Sequence, residues 1–121
     1  MKIAIIGSRE GFTKEDVSKV MFVEFGWQEN EMITGGADGV DNFAIELANE
    51  NKHPKYEVIR PINPNDKFSY LLRNVEIITK ADKIIAFWNG KSKGTKFVID
   101  YATARGKELE VIMDKVERRI K

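Results

Sequence analysis

Short apolar runs and longer, helically spaced apolar positions alternate along the chain. Lys2 to Ile6 reads as a buried strand, rich in β-branched residues and stopped by Gly7. Glu31 to Thr34, Tyr56 to Arg60, Lys83 to Trp88 and Leu109 to Met113 read as four more strands. Between them, Thr13 caps a helix that runs to Gly26, with Asp16 three residues on and Val17, Val20 and Met21 at helical spacing. Asn42 to Asn51 carries Phe43, Ile45, Leu47 and Ala48 as a second helix. Asp66 caps a third, holding Phe68, Leu71, Leu72, Val75 and Ile78, and Thr95 to Arg105 is a fourth, closed by Gly106. Pro61 and Pro64 mark the loop behind the third strand, and the charged segment Asp114 to Lys121 follows the fifth.

This βαβαβαβαβ order has no hairpin signal. Near-continuous apolar strands joined by helices imply a parallel sheet covered on both faces. Right-handed crossovers favour a doubly wound, three-layer α/β/α Rossmann-like domain with expected strand order 3-2-1-4-5. Residues 1–113 would form that domain, and 114–121 a charged C-terminal tail.

Composition narrows the chemistry. The 121 residues are 42% hydrophobic and 32% charged, enough apolar content for one core. The absence of cysteine excludes a disulfide scaffold, thiol catalysis and cysteine-ligated zinc. His53 is the only histidine, which excludes multi-histidine metal sites; it reads as a surface residue. The opening apolar run is too short for a signal peptide or membrane span, so a cytoplasmic protein is expected. The formal charge of +1 hides an uneven distribution: residues 1–79 hold 9 basic and 13 acidic side chains, whereas residues 80–121 hold 11 and 6. A uniformly basic surface for nucleic acid is excluded, but a local anion site is not.

In such sheets ligands bind beyond the carboxyl ends of the strands, where the strand order reverses. With order 3-2-1-4-5, the loops after strands 2, 1 and 4 meet there. Gly7-Ser8-Arg9 follows strand 1; Ser8 can hydrogen-bond a phosphate or ribose, and Arg9 can clamp an anion. Gly35-Gly36-Ala37-Asp38-Gly39-Val40-Asp41 follows strand 2, its glycines letting a ligand approach the backbone and Asp41 placed either to hold a ribose hydroxyl or to favour the helix dipole. Ser92-Lys93-Gly94-Thr95 opens the fourth helix with backbone donors and hydroxyls for a phosphate, beside Lys91 and Lys96. Arg73-Asn74 sits on the third helix, from which an Arg can reach over the end of the sheet. Trp88 can stack on a base or pack in the core. No pair of carboxylates stands out for acid–base catalysis, and no metal-ligand cluster is present.

With these landmarks in order, the chain resembles the SLOG superfamily of Rossmann-like nucleotide-binding proteins, in particular its small YspA-like branch. The resemblance runs through Gly7-Ser8-Arg9, Gly35 to Asp41, Arg73-Asn74 ahead of Ala81-Asp82, and Ser92 to Thr95, up to about Met113. It implies a pocket for a nucleotide or nucleotide-derived ligand, related to ADP-ribose or NAD, with no cofactor required. More distantly the chain is similar to the LOG-type phosphoribohydrolases, which cleave an N-glycosidic bond in nucleoside monophosphates, and Arg73 matches the arginine of their pattern. Their catalytic glutamate position falls on Val98, which cannot act as a base or stabilise positive charge. A similarity to the single-stranded-DNA-binding protein DprA lies in the glycine loop.

These features order the expectations. The first is a binding module for a phosphorylated nucleoside derivative, acting as sensor or carrier. The second is an N-glycosidic hydrolase, and the third a single-stranded nucleic-acid-binding protein using Lys91, Lys93, Lys96 and the tail. The first helix carries Val17, Val20, Met21, Phe22, Val23 and Phe25, with Trp27 nearby, more apolar surface than a sheet-facing stripe needs. A homodimer or higher assembly is therefore expected.

Overall fold

The computed structural model describes residues 1–27 and 29–113. Five strands and four helices alternate: β1 (Lys2–Gly7), α1 (Lys14–Phe25), β2 (Glu31–Thr34), α2 (Val40–Asn51), β3 (Tyr56–Val58), α3 (Lys67–Lys80), β4 (Lys83–Trp88), α4 (Lys93–Ala104) and β5 (Glu108–Met113). All neighbouring strands are parallel, in the order β3-β2-β1-β4-β5. This is the expected Rossmann-like order. The tail expected over 114–121 lies outside the described residues.

The period of two in a strand explains why β1 is apolar throughout. Ile3 and Ile5 join Val17, Met21, Phe25, Val40, Ala44 and Phe87 in a core under α1 and α2. Ala4 and Ile6 join Ile77, Ile78, Val98 and Ala102 in the opposite core under α3 and α4. Each fully buried isoleucine contributes about 1.5–3 kcal/mol by leaving water. The helices begin where side chains supply acceptors. Thr13 and Asp16 form a reciprocal capping box at α1, and the Asp66 carboxylate accepts from the Phe68 N–H at α3.

Several boundaries differ from the sequence expectation, three of them by two residues and each of those for a local reason. Helix α2 starts at Val40 rather than Asn42, behind Gly39 at φ +84°, and its N-cap makes no side-chain hydrogen bond that could announce it. Helix α4 starts at Lys93 rather than Thr95 because Ser92 is its cap, the Ser92 Oγ accepting from the Thr95 N–H. Strand β3 stops at Val58 rather than Arg60: the Ile59 N–H still reaches the Thr34 carbonyl, but Pro61 has no N–H to continue. On α1, Val17, Met21 and Phe25 are buried, whereas Phe22 and Val23, and Trp27 just beyond the helix, stand exposed. Among the described residues, no helix is long and apolar enough to cross a membrane.

Candidate functional site

The reversal of strand order falls between β1 and its neighbours β2 and β4, and the three loops with the sequence oddities meet there. A cavity of about 280 Å³ opens beyond the end of β1, between α3 and the start of α4, walled by Gly7, Arg9, Arg73, Ser92, Gly94 and Val98. A second, of about 300 Å³, opens over the ends of β2 and β3, walled by Gly36, Asp38, Arg60, Pro61 and Pro64. The two share Arg9, Ala37, Tyr70 and Arg73 as a common partition. A larger depression of about 610 Å³ lies at the amino ends of β1, β2 and β3, rimmed by Lys2, Glu31, Lys52, Lys55 and Glu57. Backbone N–H groups at helix starts converge on the carboxyl end of a parallel sheet. The partitioned cavity is therefore the candidate site, despite its smaller volume.

Several expected ligand-binding residues turn out to build the site's frame. Ser8 is buried; its hydroxyl donates to the Phe87 carbonyl and accepts from the Asn89 N–H, tying the loop after β1 to the loop after β4. Asp41 sits in the first turn of α2. One of its oxygens accepts from the Gly7 N–H at 3.1 Å, and the other accepts from the N–H groups of Gly35 and Ala37, both at 3.2 Å. The carboxyl thus fastens the ends of β1 and β2 to one helix start. Burial pushes its pKa from the ordinary 3.8 up to about 6, and it outweighs the opposing pull of the Ala37 hydrogen bond and the Arg73 charge.

The glycines follow the same logic. A Cβ on Gly7 would collide with Phe87 and Val40, and one on Gly39 with the Arg9 backbone. A Cβ on Gly35 would meet the Arg73 guanidinium and the Asp41 carboxylate. The empty space over Gly35 is therefore filled by Arg73, whose Nη1 donates to the Gly35 carbonyl at 2.6 Å. Its Nε donates to the Asn74 side-chain oxygen at 2.8 Å, and the guanidinium lies over the Tyr70 ring. Burial lowers the Arg73 pKa, with the Asp41 charge working against it.

The start of α4 is the open part. The Ser92 hydroxyl caps the helix and donates to Thr95 Oγ1, and Asn89 Oδ1 accepts the N–H groups of Lys91 and Ser92. The space a Gly94 side chain would occupy is free of protein atoms within 4 Å. The first N–H groups of a helix lack intrahelical acceptors, so this turn offers donors to the cavity. Arg9 is exposed beside it. Val98, one turn further along α4, forms part of the wall and is buried.

Other sequence candidates lie elsewhere. Lys91 and Lys93 are exposed, and Lys96 pairs with Asp100 on the outside of α4. Trp88 is half-buried, its indole N–H donating to the Ser92 carbonyl, so it braces the α4 loop. His53 bonds the Phe25 carbonyl, near the amino ends of the strands. Arg60 was not singled out by the sequence reading. Its only signal was a lone charged residue between a strand and Pro61, which is common on surfaces. Among the described residues, no cluster of three histidine, aspartate or glutamate side chains is placed to hold a metal ion. Compared with known proteins, the chain matches no family model, no curated protein and no solved structure.

Proposed function

We propose that the chain binds a nucleotide or nucleotide-derived ligand, its phosphate at the start of α4 between Arg9 and Arg73. The observation that carries this reading is the open turn at Gly94. Its helix-end donors border a cavity that Arg9 and Arg73 also line, a combination suited to an anion. The motif order that resembles SLOG-type proteins supports the nucleoside part of the ligand.

Binding without turnover is favoured over N-glycosidic hydrolysis. A general acid or base must reach the reacting atoms with a usable oxygen. The carboxyl lining the α4 cavity is Asp41, and all its oxygens are engaged by backbone N–H groups. Val98 offers only methyl groups. A sensor or carrier role in the cytoplasm, in a homodimer formed through the exposed face of α1, completes the reading.

Thermal unfolding with AMP, ADP-ribose and NAD, paired with chromatography for released base, tests it. A ligand-dependent rise in Tm without base release is the expected result. No rise with any of these ligands at millimolar concentration, or steady release of base, would sink it.

A further inference from the structure

Away from the candidate site, a cavity of about 300 Å³ opens between the carboxyl-terminal halves of α1 and α2. Its buried walls are Met21 and Phe25 of α1 and Leu47 of α2, all apolar. The His53 Nε2 is hydrogen-bonded to the Phe25 carbonyl at 2.7 Å, which ties the chain after α2 to the end of α1 and holds the opening in shape. Phe22 and Gly26 complete one side. Directly after Gly26 stands Trp27, outside the cavity and 85% exposed. Its ring meets Phe22 edge to face, with centroids 6.4 Å apart. An apolar cavity and an uncovered indole thus border one another through Phe22 and Gly26.

A knob and a hole on one patch are what an isologous contact requires, because a two-fold axis passing between them carries each into the other. The cavity has the volume of roughly ten waters, enough for an indole ring. A buried indole N–H needs an acceptor. Asn51 Nδ2 donates to the Leu47 carbonyl, which leaves the Asn51 Oδ1 without a donor among the described residues, and the Ser18 hydroxyl lies on the same cavity. The contact area is also sufficient. Trp27, Phe22 and Val23 expose roughly 400 Å² of side chain per copy. Seating two knobs covers two sets of cavity walls as well, which brings the total to roughly 1,200 Å², the lower bound for a specific and stable interface. We infer that a second copy of this chain fills the cavity, Trp27 of each protomer entering the α1–α2 cavity of the other. This rests on the homodimer through α1 proposed above and names its anchor.

Light scattering and sedimentation of the full chain across a concentration series test it, with Trp27→Ala removing the knob and Ser18→Phe filling the hole. Trp27 is exposed, so its truncation leaves the fold intact. Ser18 is half-buried, so Asn51→Phe, at an exposed position across the cavity, serves as a second block. Each variant alone is expected to weaken the dimer about a hundredfold or more, the scale of losing an anchor from both copies. Mixing Trp27→Ala with a blocked variant restores one knob in one hole. The mixture should therefore dimerise about tenfold or more tightly than either component, with a blue shift of Trp27 emission as the indole leaves water. A wild-type dimer that Trp27→Ala leaves intact, or a mixture no tighter than its components, overturns the anchor. If Phe22→Asp still separates that dimer, the α1 face stands without it. A wild-type chain that is monomeric at every concentration removes the α1 homodimer as well.

Discussion

Replacing Asp41 by Asn sets two large, opposed effects against each other. The ionised carboxylate satisfies three backbone N–H groups and faces Arg73, arrangements that ordinarily hold a carboxylate well below its usual pKa. Full burial acts the other way and wins, leaving the pKa at about 6 against an ordinary 3.8. A group whose folded pKa is raised stabilises the fold fully below its unfolded pKa, and that contribution is lost as pH climbs through the folded value. The shift of about two pKa units corresponds to about 3 kcal/mol, gained between pH 7 and pH 4. Asn cannot ionise and lacks this component. It keeps one acceptor oxygen, so its NH₂ faces at least one of the three N–H groups, costing about 1–3 kcal/mol at every pH.

The expected outcome is therefore a penalty that changes with pH. At pH 4, Asp41→Asn should be clearly less stable than the wild type, whereas near pH 7 the two should approach parity. Urea denaturation followed by circular dichroism from pH 4 to 7.5 reads this difference directly, and other titrating groups cancel between the two proteins. Asp100→Asn, at an exposed residue paired with Lys96, serves as a control expected to show no such trend. A penalty constant across the range, or one that grows as pH rises, would refute the reasoning. The second result would mean that the N–H groups and Arg73 outweigh burial.

The remaining expectations concern packing and binding. Thr34 is fully buried, and its Oγ1 has no partner among the described residues. Thr34→Val should raise stability by about 1 kcal/mol and Tm by a few degrees, whereas a lower Tm would show that the hydroxyl is bonded. Gly39→Ala combines φ +84° with a Cβ 2.6 Å from the Arg9 backbone and should cost about 3 kcal/mol or more, or prevent folding. Gly94→Ala, with open space around it, should match or exceed wild-type stability yet weaken phosphate binding; calorimetry showing unchanged affinity would move the phosphate away from α4. Phe22 and Trp27 are 63% and 85% exposed and stack edge to face, so Phe22→Asp should convert any homodimer to monomer by light scattering.

The fold was legible because its signals were periodic. Both faces of β1 and β4 are buried, so their apolar runs are unbroken, and connections of helical length leave a parallel sheet as the ordinary solution. The location of the candidate site was inferred from strand order alone. The division of labour within it did not. Gly35 reads in sequence as a place where a ligand nears the backbone, but the chain's own Arg73, 38 residues away, takes that space. Ser8 reads as a ligand hydroxyl until its partners across the sheet, Phe87 and Asn89, are known. A sequence states that a residue can donate or accept, and long-range partners decide whether that capacity remains free. This explains why Gly94, whose surroundings are empty, is a stronger ligand candidate than the more conspicuous Gly35 to Asp41 run. It also explains why Arg60, with no motif around it, emerges only when Gly36 and Arg73 are placed beside it. In a doubly wound sheet the loops at the switch point must first be held to one another, and the polar groups nearest the strand ends are spent on that. The groups left less engaged are those one step outward: Gly94 in the first turn of α4, Arg9 and Arg60.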